Sequence, residues 1–212
     1  KVDPETGDRT LVSGREKGEG PLPERPVALA LDERRNRALI ASQFTGLVAV
    51  DLDSGDRTLL RDSSGEEIQV GVGHIESMYA LSESTKWLIV ENNADRLLRL
   101  DLESGETEAL SSDGAGSGPH ITHARASALD RDNNRMLVID PKRRALFAID
   151  LNSGQRRFLS NTENGSGRPF YYPIDVALDS KENRAIVMDQ NQGALVGVDL
   201  DAQRRRHRRL LL

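Results

Sequence analysis

The chain of 212 residues contains no cysteine. That excludes disulfides and thiol chemistry, and it fits either the cytoplasm or a bacterial exported protein. Aromatic residues make up only 4% of the chain, with a single Trp, so small and branched aliphatic side chains must build the core. No apolar run approaches the roughly 18 residues that a membrane-spanning helix needs. No segment of about ten residues or more shows helical spacing of its apolar positions. Positive charge is not in excess: the net charge is −5, which excludes a broad nucleic-acid surface. Gly-x-Ser-x-Gly, a phosphate-binding loop and His-Glu-x-x-His are all missing.

What the sequence has is repetition. Asp51-Leu-Asp-Ser-Gly55 returns as Asp101-Leu-Glu-Ser-Gly105, Asp150-Leu-Asn-Ser-Gly154 and a degraded Asp199-Leu-Asp-Ala-Gln203. An earlier copy, Asp3-Pro-Glu-Thr-Gly7, opens the chain, and successive copies begin 48–50 residues apart. Repeats of this length made of short strands are the signature of propeller blades. The expected repeats are 26–62, 76–111, 124–160 and 173–211, preceded by the last strand of another blade within 1–14. The expected fold is all-β, a β-propeller of four-stranded antiparallel blades within a single domain, 1–212.

Each repeat carries up to four apolar runs. The first repeat has Val27–Leu31, Arg37–Ala41, Leu47–Leu52 and Arg57–Leu60; the third has Ala126–Leu129, Arg135–Asp140, Ala145–Ile149 and Arg156–Leu159. Short, often β-branched runs bounded by Asp, Asn, Ser and Gly read as strands. The second run is apolar almost throughout, as a strand covered on both faces requires. The Asp-x-x-Ser-Gly segment reads as a tight hairpin, because Asp bonds nearby N–H groups and Gly accepts positive φ. Asn36, Asn134 and Asn183 close the turn after the first run, and Asn tolerates the left-handed region. The expected innermost strands are Val27–Leu31, Ser77–Leu81, Ala126–Leu129 and Ile174–Leu178. Arg9–Val12 reads as an outer strand without a hairpin partner. The piece is therefore expected to be part of a six-bladed propeller whose N-terminal portion precedes Lys1.

Met136-Leu-Val-Ile-Asp140, followed by Leu146–Leu151, Gly154 and Arg156–Leu159, is similar to the YWTD repeat of lipoprotein-receptor propellers. Pro173–Asp179 resembles the start of a blade shared by YWTD, NHL and gluconolactonase-type (SMP-30-like) propellers. The Tyr-Trp pair itself is absent, so the resemblance is to the six-bladed TolB-like superfamily, and it covers nearly the whole chain. Gly116-Ser-Gly-Pro119 also resembles bacterial exported repeat proteins, which implies a periplasmic or extracellular envelope location.

Function concentrates on loops held by a rigid scaffold. The long Gly/Pro-rich segments between repeats offer His74, Glu76, His120, His123, Arg125, Tyr171, Tyr172 and Asp175 as ligand-binding candidates at a channel mouth. His120-x-x-His123 has the spacing of a metal pair, but surface imidazoles explain it better and no third ligand follows. Glu91, Asp140 and Asp189 each stand ten residues before a hairpin Asp, with Ala41 at that offset in the first repeat. The YWTD resemblance implies a structural role for these acids, bonding backbone between neighbouring blades. The basic cluster Arg204–Arg209 falls where the fourth outer strand belongs, and a solvated strand is a better reading of it than a polyanion site.

The resulting expectation is a non-catalytic scaffold binding a protein, peptide or glycan on its loop face. It needs no cofactor and has no nucleic-acid partner, no membrane span and no catalytic residue. The alternative is a gluconolactonase-like hydrolase using a divalent metal, with part of its site in blades outside this sequence. A purely structural array is the third reading.

Overall fold

Apolar runs of five or six residues become strands wherever Asp, Asn and Gly turns flank them. This holds across the residues that the computed structural model describes: 2–68, 75–81, 85–92 and 95–201. The fold is all-β, of the β-propeller type, and its sheets are antiparallel blades. The first blade is β1 (Pro26–Asp32), β2 (Arg37–Ser42), β3 (Gly46–Asp51) and β4 (Arg57–Leu59) in sequence order. The second is β5 (Ile75–Ala80), β6 (Lys86–Glu91), β7 (Arg96–Asp101) and β8 (Thr107–Ser111). The third is β9 (Ala126–Asp130), β10 (Arg135–Asp140), β11 (Ala145–Asp150) and β12 (Arg156–Ser160). The fourth has three described strands, β13 (Pro173–Asp179), β14 (Arg184–Asp189) and β15 (Ala194–Asp199). Among the described residues, helical backbone is limited to two 3-10 turns, Glu33–Arg35 and Gln190–Gln192.

The described chain falls into two compact units, 1–89 with 99–108 and 90–98 with 109–212. In the first, β1 lies beside β5. In the second, β9 lies beside β13, and Leu137, Ile139 and Leu146 of the third blade pack with Val176, Ala185 and Val187 of the fourth. Aliphatic side chains at alternate positions fill this core, which explains how so few aromatics suffice.

The hairpins behave as their residues require. Asp51 Oδ1 accepts from Asp53 N at 2.9 Å and Ser54 N at 2.8 Å, and Gly55 turns through φ +84°. Asp150 repeats the arrangement on Asn152 N and Ser153 N, with Gly154 at φ +68°. Asn36, Asn134 and Asn183 all lie in the left-handed region, at φ 47°, 48° and 44°. Across the first turn of the first, third and fourth blades an Asp at the end of the first strand holds an Arg at the start of the second. The pairs are Asp32–Arg37 at 2.9 Å, Asp130–Arg135 at 2.6 Å and Asp179–Arg184 at 2.9 Å.

A second device ties the connecting segments to the outer strands. Arg156, on β12, is buried, yet no carboxylate among the described residues pairs with it. Its Nη1 donates to Ser111 Oγ at 2.8 Å, Ser112 O at 2.8 Å and Ala115 O at 3.0 Å, and its Nε donates to Pro119 O at 3.0 Å. Arg57 does the same on β4, donating to Ser13 Oγ and the carbonyls of Gly14, Lys17, Gly18 and Gly20. The guanidinium has five donors in a fixed fork, so a ring of carbonyls can solvate it completely. Glycine lets the segments come this close: a Cβ on Gly116 or Gly118 would run into the carbonyl of Gly154 or Arg156.

Two expectations are corrected. Arg9–Val12 forms no strand; Arg9 makes an isolated bridge to Val2, because the Asp3–Gly7 turn folds the segment back on it. β5 begins at Ile75 and ends at Ala80, earlier than the Ser77–Leu81 run suggested. Arg204–Arg209 and His74 lie outside the described residues.

Candidate functional site

The last residue of each second strand is the pivot of the loop end. Asp140 is fully buried, and its Oδ2 accepts from Thr122 N at 2.7 Å, Thr122 Oγ1 at 3.0 Å and His123 N at 3.3 Å. Its Oδ1 accepts from Arg143 N at 3.0 Å, which shapes the turn into β11. Asp189 is equally buried and accepts from Tyr171 N at 2.7 Å, Tyr172 N at 3.2 Å and both nitrogens of Gln192. Each carboxylate thus fastens the segment entering its blade to the end of β10 or β14. Glu91 is as buried but differs in partner: Arg96 reaches it with Nη2 at 2.6 Å and Nε at 2.8 Å.

Register corrects the first repeat. Asp140 pairs with Ala145 and Asp189 with Ala194, and the equivalent of both is Ser42, opposite Gly46. Ala41 does not hold the position, because the turn after β2 is one residue shorter than its counterparts. Ser42 Oγ donates to Glu24 O and accepts from Thr45 N, so a hydroxyl performs a reduced version of the same fastening.

These anchors bring several candidate residues of the second unit to one end of its strands. Tyr171 and Tyr172 are 52% and 41% exposed, although the backbone beneath them is pinned by Asp189. Arg144, from the turn after β10, lies over the Tyr171 ring at 5.8 Å, within cation–π range. Arg144 itself holds a left-handed φ of 50°, and Lys142, Arg143 and Arg144 are all exposed. Asp175 is exposed and accepts from Val176 N at 2.8 Å beside the irregularity in β13. Arg125 is exposed, with its N–H bonded to Ile139 O. His123 is half-buried and sits on the Asp140 anchor. Sequence reasoning missed Lys142–Arg144; three consecutive cations in a tight turn were the available signal.

The remaining candidates do not join this cluster. His120 is exposed, with Nδ1 2.7 Å from Asp113 Oδ1, so a carboxylate rather than His123 is its partner. Glu76 is half-buried on β5, in the first unit. Among the described residues no three His, Asp or Glu side chains converge on a common point.

Electrostatics at these turns give a testable pH profile. Backbone N–H groups hold the hairpin carboxyls of Asp51, Asp101 and Asp150 below the usual range. Asp189 is also lowered: burial pushes it up, and the bonds from Tyr171, Tyr172 and Gln192 overcome that. Burial raises Asp95, which accepts from Ala124 N. A lowered carboxyl adds stability above its unfolded pKa, near 3.9, and loses it as pH falls through the folded value. The midpoint of thermal unfolding is therefore expected to hold from about pH 8 to about pH 5 and to fall below about pH 4. Calorimetry showing a midpoint that rises with acid would mean that Asp95 dominates instead.

The chain matches no protein-family model and no curated protein. Solved structures do share its architecture. An auxiliary nutrient-binding protein from Bacteroides thetaiotaomicron, 12% identical, superposes with a TM-score of 0.61 over 81% of this chain and 47% of that one. A protein of unknown function from the same bacterium, 13% identical, gives 0.63 over 83% and 47%. A chain of a nidogen/laminin complex, 14% identical, gives 0.50 over 82% and 79%. At such identities the likeness concerns the fold alone. The chain spans about half the length of the two Bacteroides structures.

Proposed function

We propose that this chain is a non-catalytic binding scaffold that takes a protein, peptide or glycan on the rim formed by Tyr171, Tyr172, Arg144, Arg125 and Asp175. One observation carries the reading: two tyrosines stand exposed on backbone that a buried aspartate holds in place. Exposed aromatic rings are a ready source of contact area, and a pre-fixed backbone spares the partner the cost of ordering it. The stacked Arg144 and its cationic neighbours add donors for carboxylates, hydroxyls or carbonyl groups. The similar folds of a nutrient-binding protein and of a chain from a nidogen/laminin complex support a binding role.

The finer kinship follows the repeat resemblance: a TolB-like propeller of exported, envelope-associated type. Titration of the chain with glycan and peptide libraries, read by amide chemical shifts, tests the site. Perturbations should centre on 142–144 and 171–175. Tyr171→Ala and Arg144→Ala should each weaken binding by about tenfold or more while leaving the unfolding midpoint unchanged. Perturbations centred on Ser54, Ser104 and Ser153 would place the ligand on the opposite, hairpin end and defeat the proposal.

A further inference from the structure

On the strands, arginine has fixed partners. Arg37, Arg96, Arg99, Arg135 and Arg184 hold carboxylates, and Arg57 and Arg156 are caged by carbonyls. The loop end of the second unit departs from this. Lys142, Arg143 and Arg144 are exposed in the turn after β10, and Arg125 is exposed just before β9. Among the described residues none of these four forms an ion pair. The acids near them are engaged elsewhere. Asp140 and Asp189 are buried and saturated by N–H donors. Half-buried Asp95 accepts from Ala124 N and meets Lys142 only through space. Asp175 accepts from Val176 N. The cations are left to an outside anion.

The backbone of the same end narrows what that anion belongs to. An extended peptide binds a scaffold mainly through main-chain hydrogen bonds. Here the N–H groups of Thr122, His123, Ala124 and Arg125 are already donated to Asp140, Asp95 and Ile139 O. Those of Arg143, Arg144, Tyr171 and Tyr172 are donated to Asp140, Pro141 O and Asp189. An incoming strand finds none of them open, so the partner must be read through rings and charges. The rings are Tyr171 and Tyr172, both exposed, with the Arg144 guanidinium 5.8 Å from the Tyr171 centroid. An aromatic face is electron-rich and receives the polarised C–H face of a sugar ring. A polynucleotide needs a groove of cations that follows its phosphates. Three of the four cations here are consecutive residues of one turn, enough for one or two charges and not for a track.

We propose, on the reading of this rim as the binding surface, that its partner is an acidic glycan. The sugar ring lies against the exposed tyrosines, and its carboxylate or sulfate is taken by Arg144, Arg143 and Arg125. Guanidinium groups match either oxyanion with paired N–H donors.

Titration of the intact chain, read by amide chemical shifts, tests this. The probes are oligogalacturonate against its methyl ester and a sulfated malto-oligosaccharide against the unsulfated one. Polyglutamate and an oligothymidylate are the competing classes. At least one acidic sugar should shift the amides of 142–144 and 171–172, and its neutral counterpart should bind at least about tenfold more weakly. Which of the two acidic sugars binds tells carboxylate from sulfate. Raising salt from about 50 mM to about 300 mM should weaken the acidic sugar several-fold and leave the neutral one unchanged. Arg143→Glu should weaken the acidic sugar by about tenfold or more with no change in the unfolding midpoint, whereas Arg34→Glu, the same charge change on the first unit, should leave binding unchanged. A neutral sugar that binds the rim as tightly as its acidic form overturns the proposal and leaves the rim as the binding surface. Polyglutamate or oligothymidylate binding more tightly than both acidic sugars overturns it in favour of a peptide or a nucleic acid. If no probe shifts 142–144 and 171–172, the rim and the acidic glycan fall together.

Discussion

Arg156→Gln is expected to lower the free energy of unfolding by about 2–4 kcal/mol. The guanidinium makes four hydrogen bonds in a water-poor ring, one to Ser111 at the end of β8 and three to carbonyls of the segment between the second and third blades. Gln has one amide group in place of the five-donor fork, so most of those carbonyls lose their partner inside the fold. Arg156→Lys should recover only part of the loss, because an ammonium donates from a single point and cannot span Ser111 and Pro119 together. Urea denaturation reads this as a lower midpoint at constant slope. A change below about 0.5 kcal/mol would show that the ring exchanges freely with water and fastens nothing.

Asp140→Asn is expected to cost about 1–3 kcal/mol. The carboxylate accepts from three N–H groups and one hydroxyl; an amide offers one oxygen and must turn its NH₂ toward donors. Hydrogen exchange should show the damage locally, with protection lost at Thr122, His123 and Arg143 before the rest of the third blade. Ser42→Ala is the internal comparison. It removes one donated and one accepted bond, so it should cost about 1 kcal/mol. If Asp140→Asn kept full stability and altered only binding at the Tyr171 rim, the aspartate would belong to the ligand site rather than the frame.

The sequence is most legible where chemistry is local. A hairpin Asp bonds backbone two and three residues ahead, and the following Gly takes positive φ, so Asp51 and Asp150 announce their turns wherever they stand in space. The alternation and spacing of aliphatic runs give the strands and their order for the same reason. The fixed ten-residue offset from the hairpin fails once. The turn after β2 is one residue shorter than its counterparts, and counting then lands on Ala41 although cross-strand pairing selects Ser42.

Arg57 and Arg156 read as polar positions on outer strands, and nothing nearby in the chain identifies their acceptors. Apart from the hydroxyls of Ser13 and Ser111, those acceptors are backbone carbonyls about 40 residues away, and a carbonyl has no residue-specific signature. The rim behaves likewise. His120 and His123, close in sequence, are drawn to Asp113 and Asp140 respectively, while Arg144 and Tyr171, far apart, stack. The sequence by itself determined the repeat, the strands and the turns, because each depends on neighbours along the chain and on side-chain type. Tertiary structure alone decided which arginines are caged, that Glu91 holds Arg96 where Asp140 and Asp189 hold backbone, and which aromatics share a surface. Those choices depend on backbone groups brought together between blades, and they follow from geometry rather than composition.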